Sequence, residues 1–242
     1  MKFKDRVVIV TGASSGIGEV TARRFVEEGA SVVITYKQNK AGADKVAQEF
    51  SDKIFVQQAD LTKDGDAKMV VDFTMEKFGR VDILVNNAGR YIDGDEWDGS
   101  ADVWIKSLEQ NLVSAMSVSK YAIEVFQKQK FGVIVSVASR YAVSGQFDSL
   151  SYSAAKAGIV NITQAYAKLL APYGRANSVS PGPVNCGYWL TAPKEELEET
   201  IARMPGKRLI EVSEVVDAIL SLASNDKVNG ENLVIDGAGD LC

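Results

Sequence analysis

Val7-Val8-Ile9-Val10-Thr11-Gly12-Ala13-Ser14-Ser15-Gly16-Ile17-Gly18 decides the fold. Four β-branched residues make a short apolar strand. The glycines then mark a tight turn, and an amphipathic stretch over about Gly16–Glu28 follows as a helix. One glycine permits the turn, the next lets backbone approach a phosphate, and the third packs helix against strand. The helix N-terminus offers unpaired N–H groups and a positive partial charge to an anion. Strand, turn and helix in this order therefore form a seat for a dinucleotide pyrophosphate. The spacing is Gly-x3-Gly-x-Gly rather than the commoner Gly-x-Gly-x-x-Gly.

The same alternation continues outward. Further β-branched runs occur at Val32–Thr35, Ile54–Gln57, Ile83–Val85, Val133–Val137, Ala176–Ser180 and Leu233–Ile235. Helix-like stretches lie between them, at about Gly42–Phe50, Gly65–Phe78, Ala101–Lys128, Ser153–Ala171 and Val212–Ala223. Near-continuous apolar strands alternating with helices predict an α/β fold. The expected form is a single-domain Rossmann-type, doubly wound parallel sheet of about seven strands, with helices on both faces and right-handed crossovers. No linker or repeat divides the chain, so residues 1–242 are read as one dinucleotide-binding and catalytic domain. Tyr91–Ser100 and Asn185–Pro193 read as loops. With the helical Lys194–Arg203, the second makes a candidate substrate loop over about 185–205.

Composition removes several function classes. Hydrophobic residues form 46% and charged residues 24% of the chain, as in ordinary globular proteins. The net charge of −5 gives no nucleic-acid footprint. No apolar run reaches the length of a membrane span. Met1-Lys2-Phe3-Lys4-Asp5-Arg6 leads directly into a strand, so no signal peptide is read. The two cysteines, Cys186 and Cys242, make no disulfide framework and fit a reducing cytoplasm. Histidine is absent, which removes Ser-His-Asp and Cys-His catalysis and His-ligated zinc, and no metal is expected.

A second cluster carries proton chemistry. Tyr152 and Lys156 lie one helical turn apart in Ser151-Tyr152-Ser153-Ala154-Ala155-Lys156, after a strand ending near Ser139. Residues four apart share a helix face. An ammonium beside a phenol stabilises the phenolate and lowers its pKa, towards the range useful to an acid/base catalyst. Such a pair can hand a proton to a carbonyl oxygen, and Ser139 Oγ can hydrogen-bond the same oxygen. The spacing alone is unspecific, because Tyr36 and Lys40 repeat it; position after a strand end separates the two pairs.

Thr11-Gly12-x3-Gly16-Ile17-Gly18, Asn86-Asn87-Ala88-Gly89, Asn111, Ser139, Tyr152-x3-Lys156 and Pro181-Gly182 occur in order. With them the chain resembles a single-domain short-chain dehydrogenase/reductase, from Asp5 to Asn229-Gly230-Glu231-Asn232-Leu233-Val234-Ile235-Asp236-Gly237. The resemblance implies that Gly12, Ser14, Gly16, Ile17 and Gly18 hold cofactor phosphates and ribose. Asp60 and Leu61 would flank the adenine, and Asn87, Ala88 and Gly89 would line the central site. Tyr152 would be the catalytic acid/base, Lys156 would bond the nicotinamide ribose and tune Tyr152, and Ser139 would polarise the substrate oxygen. Asn111 would hold a water linking Lys156 to solvent through a helix irregularity. Pro181, Gly182 and Val184 would pack on the nicotinamide.

The implied activity is hydride transfer between a nicotinamide cofactor and a small carbonyl or secondary-alcohol substrate, with a 3-oxoacyl-carrier-protein reductase or related ketoreductase as the favoured branch. Lys130 matches one basic residue of that branch, but Tyr173 stands where a second is often found. The wider Tyr-to-Lys spacing of enoyl reductases is absent. NADP(H) is the expected cofactor, with NAD(H) also admitted. Tyr36 replaces the aspartate usual in NAD-preferring relatives, and Lys37 follows it; Ser15 stands where many NADP-preferring relatives carry a basic residue. Other departures are a strand entry one residue short at Gly174-Arg175-Ala176-Asn177, Cys186 in place of a common threonine, and Ala238 for a glycine. Tyr141, Tyr188 and Trp189 form a candidate apolar substrate wall, and Arg90 and Tyr91 a cleft mouth. Surplus apolar surface over Ala101–Lys128 and Ser153–Ala171 predicts a homodimer or homotetramer. The competing reading is a catalytically idle cofactor-sensing or structural protein of the same fold; an intact Ser139, Tyr152 and Lys156 count against it.

Overall fold

The computed structural model describes residues 1–239; Cys242 lies outside them. Seven parallel strands form one sheet: β1 (Val7–Val10), β2 (Ser31–Tyr36), β3 (Ile54–Gln58), β4 (Ile83–Asn86), β5 (Gly132–Val137), β6 (Gly174–Pro181) and β7 (Asn232–Ile235). Their order is β3-β2-β1-β4-β5-β6-β7. Every pairing is parallel.

Each central strand is buried on both faces, which is why its sequence shows no polar alternation. Val8, Val10, Val32, Ile34 and Val85 point to one side. There they meet helices α1 (Gly16–Glu27), α2 (Lys40–Gln48) and, much later in the chain, a helix over Val212–Ser224. Ile9, Val33, Leu84 and Ile134 point to the other side. There they meet α3 (Asp64–Phe78), a helix over Ser114–Gln129 and one over Leu150–Leu170. The remaining helices are α4 (Ala101–Leu108), α5 (Ser114–Gln129), α6 (Tyr141–Ser144), α7 (Leu150–Leu170), α8 (Lys194–Arg203) and α9 (Val212–Ser224).

The order reverses between β1 and β4, so connections leave these two strands toward opposite faces. A crevice opens beyond their carboxyl ends, the place where open α/β sheets bind ligands. At the opposite end of the same strands, fully buried Asp82 fixes their register. Its carboxylate accepts from Val7 N–H at 2.9 Å, Arg6 Nη1 at 3.0 Å and Arg80 Nη2.

Several boundaries differ from the sequence expectation by one or two residues, among them the start of α2 at Lys40 rather than Gly42, and three differences have a definite structural setting. The stretch Ala101–Lys128 is not one regular helix: a π-helical turn, Glu109–Val113, separates α4 from α5. The turn takes in one extra residue at Asn111, where the resemblance implies a helix irregularity and regular helical spacing does not. Helix α7 begins at Leu150 rather than Ser153 because its first N–H groups find partners on a distant loop. Strand β6 begins at Gly174, earlier than Ala176. Gly174 pairs with Gly132 so closely that a Cβ on it would stand 2.6 Å from the Gly132 carbonyl. No helix among the described residues is long and apolar enough to cross a membrane.

Candidate functional site

The crevice is built by forcing the end of β1 against the end of β4. A Cβ on Gly12, which has φ +63°, would lie 2.8 Å from Ala88 Cα. One on Gly18 would lie 2.5 Å from Asn87 Nδ2 and 2.7 Å from the Gly12 carbonyl. Only glycine admits this approach. Thr11 Oγ1 clamps it, accepting from the N–H groups of Asn87 and Ala88, each at 2.9 Å. Asn87 Nδ2 donates to the carbonyls of Thr11, at 2.9 Å, and Gly12, at 3.0 Å. The Asn87 side chain is thus committed to holding the turn. Ser15 gives α1 no side-chain cap, and the helix opens on Gly16. The Ile17 N–H meets the half-buried Cys186 thiol, which burial holds above its ordinary pKa. Asn39 joins the turn from the far side: its Nδ2 donates to the Ser14 carbonyl at 3.3 Å, and its Oδ1 caps α2 at the Gly42 N–H.

Tyr36, buried, ends β2, and Lys37 follows. Lys37 Nζ lies 2.9 Å from Asp60 Oδ2. Burial alone would raise the Asp60 carboxyl, but Lys37 and Thr62 donate to it and hold it below its ordinary value. Two residues read separately from the sequence are therefore one ion pair. Lys40 bonds Asp44 on its own helix. Leu61 is buried in the packing beneath β1 and β2.

Ser139, Tyr152 and Lys156 gather beyond the end of β5. Ser139 is almost fully buried, accepts from the Tyr141 N–H at 3.2 Å and hydrogen-bonds the Tyr152 phenol. Lys156 Nζ lies 5.5 Å from the Tyr152 ring centre and donates to the Val137 carbonyl at 2.8 Å. Desolvation dominates the protonation of both. It pushes Tyr152 up to about 12, against the Ser139 bond, with Tyr141 adding to the rise. It pulls Lys156 down to about 8. In the protein alone, then, burial sets the Tyr152 phenol, and the lowering expected from Lys156 is not seen.

Asn111 sits inside the π-helical turn, fully buried. Its Nδ2 donates to the carbonyls of Arg90, at 2.9 Å, and Ser107, at 3.0 Å. Its Oδ1 finds no donor among the described residues. A Cβ on Gly89 would stand 2.5 Å from that oxygen and 3.5 Å from Lys156 Nζ. Glycine at 89 therefore keeps open the space these two polar atoms share.

Around the phenol, Tyr91 and Tyr141 each present an edge-to-face ring with centres 6.4 Å from Tyr152. Tyr188 and Trp189 stack edge to face on a 3₁₀ turn, Gly187–Leu190, but Trp189 packs on the α1/α9 core. Tyr188 donates to Glu196 of α8 at 2.6 Å. That bond pushes its phenol up to about 12, and the charges of Tyr91 and Asp93 add to the shift. Pro181 and Gly182 close β6, and buried Val184 bridges to Ile210 at the root of this segment. Sequence reading missed the roles of Thr11, Asn39 and Asp95. Thr11 is visible as a hydroxyl at a strand end, and Asn39 as a capping residue before a helix; Asp95 carries no such local mark.

A family model described as enoyl-(acyl carrier protein) reductase matches residues 12–238. A 3-oxoacyl-[acyl-carrier-protein] reductase of Thermotoga maritima is 33% identical, covering 98% of each chain. The meso-2,3-butanediol dehydrogenase of Serratia marcescens is 34% identical over 98% of this chain and 95% of its own. Among solved structures, levodione reductase superposes with a TM-score of 0.91 at 28% identity, covering 99% of each chain. A parallel seven-stranded sheet, a glycine turn at its switch point and these full-length likenesses carry one conclusion: the chain belongs to the short-chain dehydrogenase/reductase family and is a hydride-transferring, nicotinamide-dependent oxidoreductase.

Proposed function

We propose that this protein interconverts a ketone and a secondary alcohol, with Tyr152 giving and taking the proton. The observation that carries the reading is the meeting of Ser139, Tyr152 and Lys156 at the mouth of the crevice headed by the glycine turn. The residues present fit a dinucleotide. The Gly12–Gly18 turn is a cradle that side chains would fill, and the leading N–H groups of α1 suit a pyrophosphate. Ser14, Ser15, Gly16 and Ile17 would hold phosphate and ribose, Asp60 and Leu61 the adenine end, and Asn87, Ala88 and Gly89 the centre. Pro181, Gly182 and Val184 would support the nicotinamide, which supplies the hydride when bound.

Ser139 and Tyr152 hydroxyls both reach one substrate oxygen and hold it against the crevice. A phenol near pKa 12 keeps its proton until charge develops on that oxygen, which suits it to donate. Lys156 remains charged at neutral pH and favours the phenolate left behind. Asn111 Oδ1 and Lys156 Nζ border a path for returning the proton from solvent. The mouth between Tyr91 and Tyr141 suits a flat or apolar group beside the reacting carbon. Lys130 stands over the Tyr173 ring at 4.6 Å, so the second basic site of a carrier-protein reductase is replaced by a cation–π contact. A panel of free ketones, ketoacyl thioesters and sugars, assayed by nucleotide oxidation, identifies the substrate; free ketones are expected to exceed carrier-bound thioesters. Tyr152→Phe should lower turnover on that substrate by about 10²–10⁴-fold while leaving nucleotide binding within about twofold. Near wild-type turnover in the variant would remove Tyr152 as the acid.

The cofactor choice turns on Lys37. With no acid at Tyr36, a 2′-phosphate meets no repulsion there, and the Lys37 ammonium is within reach. Its bond to Asp60 is half exposed and worth about 1 kcal/mol or less, so a phosphate displaces it cheaply. The proposed NADP(H) preference is about 1–3 kcal/mol. Lys37→Glu should weaken NADP(H) far more than NAD(H) in equilibrium titrations. Equal losses, or tighter NAD(H) binding by the wild type, would assign NAD(H) instead.

Lys156 also marks stability. Below pH 8 it is protonated in both folded and unfolded chains. Between about 8 and its ordinary 10.5 only the unfolded chain holds the proton, so stability rises with pH across that window. Compared with Lys156→Met, the wild type should gain roughly 2–3 kcal/mol between pH 8 and 10, read from urea midpoints. A flat difference would return Lys156 to an ordinary pKa.

Assembly as a homodimer or homotetramer would cover Ile105, Val113, Met116 and Leu169, apolar side chains left exposed on α4, the π-helical turn, α5 and α7. Light scattering at micromolar concentration should give a multiple of 26.2 kDa; a monomer alone would refute it.

A further inference from the structure

Helix α7 carries Tyr152 in its first turn, yet the residue before it gives it no cap: Ser149 makes no side-chain bond to the helix. The cap comes from the substrate-side loop, 56 residues earlier in sequence. The Asp95 carboxylate is fully buried. Its Oδ1 accepts from the Ser151 N–H at 3.0 Å and from the Ser151 hydroxyl, and its Oδ2 accepts from the Tyr152 N–H at 2.7 Å. The Asp95 carbonyl takes the Leu150 N–H at 2.8 Å. Both carboxylate oxygens are satisfied, and the negative charge faces the positive end of a 21-residue helix. A buried carboxylate without such partners would be strongly unfavourable.

We infer that Asp95 is a positioning residue for Tyr152. Its Oδ2 grips the backbone of the residue whose phenol must meet the substrate oxygen, so it fixes how far that phenol reaches beyond Ser139. The same loop carries Tyr91, whose ring edges the Tyr152 ring. A second strut runs in parallel, from Trp97 N–H to the Phe147 carbonyl at 2.8 Å. The loop that meets the substrate and the helix that bears the acid therefore move as one body. A displacement near 1 Å at a reacting group costs up to about 10²-fold in rate. The fold boundary follows from the same contact: α7 starts at Leu150 because Asp95 serves its leading N–H groups.

This inference rests on Tyr152 being the acid, and a double-mutant cycle separates the two claims. Asp95→Asn keeps one accepting oxygen but turns an NH₂ group toward an N–H donor. It is expected to lower kcat by about 10–100-fold on a ketone taken from the panel, with the nucleotide Kd changed less than about twofold. In a Tyr152→Phe background the same substitution should change residual turnover less than about twofold. A purely structural cap would cost the same factor in both backgrounds or weaken nucleotide binding in step, and either result overturns the assignment, as does a loss under twofold in the single variant. Should Asp95→Asn not fold, Asp95→Ser, whose hydroxyl accepts one N–H, carries the same cycle with the same readings. If Tyr152→Phe alone retains turnover, the acid assignment fails, and that result is read independently of Asp95.

Discussion

The close approach of β1 to β4 beyond their carboxyl ends is the constraint on which the rest of the molecule depends. Thr11 Oγ1 and Asn87 Nδ2 make five hydrogen bonds across this gap. The gap is so narrow that a single methyl group on Gly12 or Gly18 would collide with backbone or with the Asn87 amide. Each such bond contributes roughly 1 kcal/mol net, so the clamp is modest in energy and strict in geometry. That geometry aims the first N–H groups of α1 into the crevice and brings Ala88 and Gly89 under it. Gly89 in turn borders the space shared by Asn111 Oδ1 and Lys156 Nζ. The glycine turn and these two buried polar groups are thus registered against one seam of the sheet.

Electrostatics at the reacting end follow from burial more than from pairing. Tyr152 and Lys156 lie on one helix face, yet the ammonium is bound to the Val137 carbonyl and both groups are pushed toward their neutral forms. A neutral phenol and an amine titrating near 8 make a site whose charge is easily changed by whatever enters it. On the proposed reading, a polar group entering beside Lys156 and Tyr152 would shift that balance.

Most of the architecture was legible in the sequence because the sheet is doubly covered. Strands such as Val7–Val10 and Val133–Val137 have no wet face, so they read as unbroken apolar runs and give a parallel sheet without reference to partners. Helix α8 over Lys194–Arg203 was legible for the opposite reason, as a charged stretch with no competing strand pattern. Boundaries set by distant groups were not. The start of α7 depends on a carboxylate from another loop, and the π-helical turn at Glu109–Val113 was signalled only by the resemblance, at Asn111, and not by hydrophobic periodicity. In the site, the glycines and Ser139, Tyr152 and Lys156 could be placed from motif and position. The Lys37–Asp60 pair could not, because it joins the ends of neighbouring strands that are 23 positions apart in the chain.

The same contrast divides the site. The glycine seam and the Ser139–Tyr152–Lys156 group are held by strand ends and by a long helix. The rim is different: Tyr91, Tyr141 and Tyr188 sit on loops and short turns, the first two edging the Tyr152 ring and the third bonded to Glu196. Substitutions there alter what the mouth admits without disturbing the seam. Asp95 lies where the two regimes meet, on the rim loop but hydrogen-bonded to the long helix. On the proposed assignment of Tyr152, a loop altered at the rim keeps its hold on the phenol only while an acceptor remains at this point, which would make loop remodelling and proton donation one problem rather than two.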